Sequence, residues 1–421
     1  MTAERPRPTS LARRARIGAA VLFFTNGAIF ANLLPRYPEL VEQLDLSKTS
    51  FGLAVAAFPV GALLAGLSAG ALVRRFRSSR VAVVATILSA VGILVAGSGS
   101  SWAVLAGGLF VAGAMDSITD VAQNSHALRV QRLYGRSILN SFHAIWSIGA
   151  VSGGVLGAAA AQFAVPIPLH LALSGVLFSV AALVAYRLLL PGPEPLEVVQ
   201  PAASVTAESP SPSPSPRAGR GPLAKYGVLL ALVVIASVGA VVEDSGASWS
   251  ALYLSGSLGT SAFLAGIGFV ALQGMQFVGR MLGDGLVDRF GQRAVARAGG
   301  AIVLVGMGLA LAFPTVWGTI AGFGLAGLGV STLIPAAMQA ADELPGFRPG
   351  TGLTIVSWLL RVGFLVSPPI VGAVADATSL RVGLLIVPIA GLLALVFAGV
   401  LSTRRESLPV LVPSVKGPQA E

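Results

Sequence analysis

Apolar runs of about 20 residues, parted by short polar loops, recur along the whole of this 421-residue chain. A run of that length crosses the ~30 Å hydrocarbon core of a bilayer as one helix. The runs do not alternate apolar with polar positions, which sets aside the roughly 10-residue strands of a membrane barrel. Hydrophobic residues make up 54% of the chain and charged residues 11%, whereas a soluble domain carries about 25% charged residues. Lipid is therefore the solvent for most of the chain, and there the backbone must satisfy its own hydrogen bonds.

The sequence predicts an all-α polytopic membrane protein of twelve transmembrane helices in two pseudo-repeated six-helix bundles. The helices are expected near 16–43, 51–73, 81–99, 101–129, 137–163 and 167–190, then 224–254, 260–288, 294–313, 315–343, 350–376 and 380–402. The corresponding parts are a basic N-terminal tail (1–15), a first bundle (16–190), a linker (191–222), a second bundle (223–403) and a C-terminal tail (404–421). The linker contains SPSPSPSPR (Ser209–Arg217), a composition that cannot build a packed core. The third and fourth helices are divided at GSGSS (Gly97–Ser101). No cleavable signal is expected in the run that starts at Ile17, which is too long for one.

Basic residues alternate along this layout. Arg5, Arg7, Arg13, Arg14 and Arg16 precede the first helix; Arg74, Arg75, Arg77 and Arg80 follow the second; Arg129, Arg132 and Arg136 follow the fourth. Arg187, Arg217, Arg220 and Lys225 flank the linker, Arg289, Arg293 and Arg297 follow the eighth helix, Arg348 follows the tenth, and Arg404, Arg405 and Lys416 come last. The other loops hold only Arg36, Lys48 and Arg381. By the positive-inside rule both termini and the linker face the cytoplasm of a multi-pass protein in the cell membrane. The formal charge of +10 thus belongs to the lipid surface and not to a nucleic-acid interface.

The halves echo each other. LVRRFRSSR (Leu72–Arg80) and LVDRFGQR (Leu286–Arg293) are 214 residues apart, as are Gly149 and Gly363. Two similar bundles joined by a long linker place a solute between them near the membrane midplane. The longer segment GDGLVDRFGQR (Gly283–Arg293) resembles the loop signature of the major facilitator superfamily, through Asp288, Arg289, Gly291 and Arg293. The first-half copy departs from that pattern: Arg74 stands where the family has Asp, and Arg77 where it has Gly. The stretch Asp120–Ala158 is similar to a bacterial subgroup distantly related to fucose-type sugar permeases. The resemblance spans the membrane region and implies the MFS fold. It implies that the signature carboxylate caps the start of helix eleven in an outward-open state. Arg74, with Arg75 beside it, weakens that lock, and Asp288 takes a mirror role toward the start of helix five near Ser137. The plainer alternative is that these residues only set topology and anchor loops.

Ionisable groups inside a membrane helix cost roughly 2.5–3.5 kcal/mol on insertion scales and so mark functional candidates. GAMDSITDVAQN (Gly113–Asn124) has no Lys or Arg between Arg80 and Arg129. Asp116 lies ~22 Å along the fourth helix, near the midplane, and Asp116, Asp120 and Asn124 share one face. Either this face lines a cavity and carries a coupling proton, or the acids make buried polar contacts. Helix five adds Asn140, His143 and Ser147 on one face with Trp146 beside them, and a Gly149, Gly153, Gly157 stripe for close packing. Helix seven carries adjacent Glu243 and Asp244, about 100° apart, between Gly239 and Gly246, which suggest a bent or broken helix. Arg361 in helix eleven, near Trp358, needs an acidic partner or an anionic solute group. Arg280, Asp284 and Asp288 follow at four-residue steps and are expected to satisfy one another. Asn26 and Asn32 are expected cavity donors, and Pro368 and Pro369 are expected to kink helix eleven.

There is no cysteine, no HExxH, no Walker A loop and no soluble catalytic domain. An enzyme is therefore not expected, and no cofactor or metal is expected either. A channel is disfavoured because one chain of twelve packed helices offers no repeated pore ring. The leading expectation is a secondary transporter, its expected partners a small polar solute (a sugar or metabolite), coupling protons and the bilayer, in a monomer. The alternatives are a drug or metabolite efflux proton antiporter and, behind it, a receptor or membrane enzyme.

Overall fold

The computed structural model describes residues 9–135, 138–192, 224–345, 347 and 350–403. Most of the linker, the C-terminal tail from Arg404, the basic residues Arg5, Arg7, Arg136, Arg217, Arg220, Arg348, Arg405 and Lys416, and Ser137 lie outside the described residues. Among the described residues twelve helices are long and apolar enough to cross a membrane. They are α1 Ser10–Gln43, α2 Lys48–Phe76, α3 Ser78–Ser98, α4 Trp102–Tyr134, α5 Leu139–Gln162 and α6 Ile167–Tyr186. The second half holds α7 Lys225–Ser257, α8 Ala262–Phe290, α9 Gln292–Ala312, α10 Val316–Asp342, α11 Thr351–Ala377 and α12 Leu380–Val400.

Several ends differ from the sequence-based expectation. The first helix starts at Ser10, six residues early, because Thr9 Oγ1 accepts from the Ala12 amide at 3.2 Å and caps it. It is also not one rod. The regular helix stops at Ala31, a 3₁₀ turn spans Leu34–Arg36, and Tyr37–Gln43 resumes. Pro35 and Pro38 lack the amide hydrogens that an unbroken helix would use there. α10 divides into Val316–Val330 and Leu333–Asp342, and α12 into Leu380–Gly383 and Ile386–Phe397. α11 runs without interruption through Pro368 and Pro369. The expected break in helix seven beside Gly239 and Gly246 is corrected: the helix is continuous from Ala224 to Leu252, and the irregular turn comes later, at Tyr253–Ser257. Both glycines are packing positions, where a Cβ would collide with Ile334 and with Leu272.

The internal repeat extends to local geometry. α2 and α8 each have 29 residues and start 214 residues apart; α3 and α9 each have 21 with the same offset. Ser47 and Ser261 cap α2 and α8 by accepting from the Ser50 and Leu264 amides. At the other end of each pair the chain turns through one positive-φ residue. Gly291 has φ 83° and ψ 155°, and Arg77 has φ 75° and ψ 140°. Only glycine adopts that region freely, and another residue there stores about 1–3 kcal/mol. Arg77 thus occupies a glycine position. The substitution Arg77→Gly is expected to raise the thermal midpoint of the detergent-solubilised protein, by about 1 kcal/mol after the added freedom of the unfolded chain is deducted. An unchanged or lower midpoint would contradict the reading of strain.

Within the first half α4 packs along α2 and α3, and α5 along α1; in the second, α10 packs along α8 and α9, and α7 along α11. The glycine stripe of α5 makes the close packing expected of it, and its partner is α1: a Cβ on Gly149 would collide with the Phe24 carbonyl oxygen. The halves meet along α2 with α11 and α5 with α8. On the face away from the arginine-rich loops, the Asp376 carboxylate of α11 accepts from the Lys48 and Thr49 amides at 2.9 and 2.8 Å. The carboxamide of Gln162, at the end of α5, accepts from the Phe263 amide at 3.1 Å. Gln162 and Asp376 are also 214 residues apart. Each half therefore caps the start of a helix in the other with the same position of the repeat.

Candidate functional site

A cavity of 270 Å³ lies between the halves, walled by α1, α2, α4 and α5 on one side and α7, α8 and α11 on the other. The pairs Val55 and Phe269, Pro59 and Gln273, and Ala150 and Phe364 line it, each pair separated by the repeat offset. The repeat axis therefore passes through the cavity. Phe30, Phe58 and Trp146 add aromatic surface. Pro59 and Pro368 have no N–H to give, so the carbonyls of the lining residues Val55 and Phe364 lose their helical donors and are left for other partners.

The polar groups of the first half are tied together. Asn26 Nδ2 donates to Asp116 Oδ1 at 2.7 Å, and Trp146 Nε1 donates to Asn26 Oδ1 at 2.8 Å. Gln123 Nε2, which the sequence reading missed, also reaches Asn26 Oδ1 at 3.5 Å. Asp120 and Asn124 lie one and two turns nearer the arginine-rich face, and Asn124 Nδ2 donates to Asp120 Oδ1 at 2.9 Å. Asp120 and His143 are exposed and within electrostatic reach of each other. Thus the expected acid face of α4 exists, with Asp116 in the cavity and Asp120 toward its arginine-rich side. Ser147 is buried and donates to the His143 carbonyl, so it is held within its own helix.

In the second half both Glu243 and Asp244 line the cavity, but with separate partners. Glu243 Oε2 accepts from Gln276 Nε2 at 2.9 Å and lies 3.9 Å from Arg280 Nη2. Asp244 Oδ1 accepts from Ser248 at 3.2 Å, and its Oδ2 is buried without a partner. Gln273, buried at 2% exposure, has an unpartnered Nε2 beside the same space. Arg361 lines the cavity within electrostatic reach of Asp116 and Asp120 and forms no ion pair within 4.0 Å among the described residues.

Other expected residues are placed elsewhere. Asn32 is not a cavity donor: it is buried, donates to the Ala28 carbonyl at 2.7 Å, and its Oδ1 lies 3.0 Å from His170 Nε2 of α6. Trp358 is 56% exposed and does not line the cavity. Arg280 turns to Glu243, and no ion pair joins it to Asp284 among the described residues, because its side chain reaches toward α7 instead of along its own helix. Asp284, Asp288 and Arg289 are exposed, as are Arg74 and Arg75. Arg293 is a loop anchor, its Nε donating to the Leu401 carbonyl at 2.9 Å and its amide to that of Ser402 at 3.0 Å. Arg36, expected in an outer loop, is buried, with Nη2 on Glu39 at 2.7 Å and on the Val165 carbonyl at 2.6 Å.

Two repeated six-helix halves around a largely apolar cavity that holds a few charged and amide side chains are the architecture of a multi-pass membrane transporter. A model of the Major Facilitator Superfamily matches residues 19–284 and 244–420, and the chain belongs to that family. It is 29% identical over 384 residues to the uncharacterized transporter y4wD of Sinorhizobium fredii, covering 91% of this chain and 97% of that protein. It is 27% identical over 378 residues to the membrane protein MosC of Rhizobium meliloti, covering 89% of this chain and 87% of that one. Among solved structures, a mutant of the nucleoside transporter NupG aligns with a TM-score of 0.72 at 12% identity, over 92% of this chain and all of that one (100%). The D-xylose–proton symporter aligns with a TM-score of 0.67 at 15% identity, over 92% and 97%.

Proposed function

We propose that this protein moves a small polar solute, a sugar or metabolite, across the cell membrane by alternating access and that protons drive it. The observation that carries the reading is the chain Trp146–Asn26–Asp116, a carboxylate held by neutral donors inside the central cavity. Asp116 and Asp120 form a two-step path for a proton between the cavity and water on the arginine-rich face, which we take as cytoplasmic. Arg361 interacts with both acids and is the counter-charge when the proton leaves. In this conformer the Asp376 and Gln162 caps close the opposite face, and both must release for that face to open. The transport of a nucleoside by one protein of the same fold and of D-xylose with protons by another supports a hydroxylated solute and a proton partner.

The test is uptake into proteoliposomes under an imposed pH gradient, with labelled pentoses, hexoses and nucleosides. Accumulation above equilibrium that follows the gradient supports proton-driven transport. Accumulation when the gradient is reversed assigns the protein to proton antiport and efflux. Equilibration alone, indifferent to pH, removes proton coupling.

A further inference from the structure

The acids around the cavity are not equally neutralised. Glu243 has Arg280 at 3.9 Å. Asp116 shares the field of Arg361 with Asp120. Asp244 has no basic side chain within 4.0 Å among the described residues; its neighbours are Glu243 in sequence and the neutral hydroxyls of Ser367 and Ser248. A carboxylate buried in low dielectric without a cation is costly, and its partnerless Oδ2 is a polar atom that still calls for an explanation.

A second, independent orphan faces the same space. Gln273 Nε2 on α8 is a buried donor with nothing to donate to. An acceptor without its cation on α7 and a donor without its acceptor on α8 thus border one cavity. A ligand that satisfies both carries a positive N–H donor beside an oxygen acceptor. A carboxylated ligand satisfies Gln273 but sets a further anion beside Asp244. A neutral polyol satisfies both geometrically and leaves the charge of Asp244 unbalanced.

We infer that Asp244 and Gln273 form the recognition pair of the second half and that the solute is a small hydroxylated amine, its ammonium on Asp244 and a hydroxyl oxygen on Gln273. This rests on the central cavity being the solute site. The aromatic rings of Phe30, Phe58 and Trp146 suit the less polar edges of such a molecule, and a cavity of 270 Å³ suits a small one.

The experiment measures binding to purified protein through tryptophan fluorescence and thermal midpoint, with sets that differ in one substituent: glucosamine, glucose and glucuronate, and glucamine, sorbitol and gluconate. The amine of a set is expected to bind about tenfold more tightly than its hydroxyl counterpart, the difference between a charge-assisted and a neutral hydrogen bond. Asp244→Asn is expected to abolish that preference and, by removing an uncompensated buried charge, to leave the unliganded midpoint no lower than that of the unaltered protein. Gln273→Leu is expected to weaken the amine and the polyol alike. Three results overturn the proposal: a neutral or acidic member binding as well as its amine, the preference surviving in Asp244→Asn, or no amine binding at millimolar concentration. A misfolded Asp244→Asn does not protect it, because the matched sets on the unaltered protein decide the first and third results. Failure of the transport reading looks different: an amine that binds at Asp244 and is never moved across the bilayer removes transport and leaves the recognition pair standing.

Discussion

Asp116→Asn is expected to abolish pH-driven accumulation while leaving solute exchange at equal concentrations within about tenfold of the unaltered protein, the range of one buried hydrogen bond. The amide is nearly isosteric and still accepts from Asn26 Nδ2, whose bond to Asp116 Oδ1 is 2.7 Å, so the cavity wall keeps its shape. What the amide lacks is a proton to exchange. Asp120→Asn is expected to act differently, because Asp120 is exposed and lies toward the arginine-rich face. There it hands protons to and from water, so its loss slows coupled transport and leaves the final accumulation ratio intact. Parallel measurement of initial rate and plateau in proteoliposomes separates the two. If Asp116→Asn still concentrates solute against its gradient, the assignment of the coupling proton to α4 is wrong.

The second large effect concerns the closed face. Asp376 offers both carboxylate oxygens to the start of α2, at 2.9 Å to the Lys48 amide and 2.8 Å to the Thr49 amide. These are orphan amides of a helix N-terminus, where a negative group stabilises by about 0.3–1 kcal/mol at an exposed site. Asp376 is exposed, so the full value of a buried charged bond does not apply. Asp376→Ala is therefore expected to shift the ratio of the two conformers by about fivefold toward opening of that face, and the pair Asp376→Ala with Gln162→Ala by more. Asp376→Asn keeps one accepting oxygen and is expected to fall between. Accessibility of a cysteine placed at Trp249, buried at 0% exposure beneath this face against Phe51, reports the change by its rate of alkylation. The chain has no cysteine of its own, so the signal has one source. Equal alkylation rates in all variants would show that the caps do not hold the face shut.

Much of the architecture was legible because lipid imposes it. Run length set the number of spans, arginine placement their alternation, and the shared offset of Leu72–Arg80 and Leu286–Arg293 the repeat. The acid face of α4 was legible because i, i+4 spacing is local. What escaped depends on how helices rotate against each other. Asn32 and Asn26 are both polar positions on α1, yet one turns to His170 and the other to the cavity. The paired caps left a usable trace, since Gln162 and Asp376 occupy the same position of the repeat, but nothing local shows that their oxygens reach across to the other half. Gln273 was invisible for a related reason: an isolated glutamine in an apolar helix states neither its partner nor its lack of one. Prolines act differently by place: the regular part of α1, expected to run unbroken to residue 43, ends near Pro35, while α11 stays helical through Pro368 and Pro369.

The most direct test of alternating halves is a pair of distances measured in one sample. Spin labels on cysteines introduced at Glu42 and Ser257 report the capped face, and labels at Arg132 and Glu343 report the arginine-rich face; all four positions are exposed. In the variant lacking both caps, Asp376→Ala with Gln162→Ala, the first distance is expected to lengthen and the second to shorten, in equal populations. Two faces that open together, or a second distance that stays fixed while the first lengthens, would contradict a rocking of one bundle against the other around the cavity.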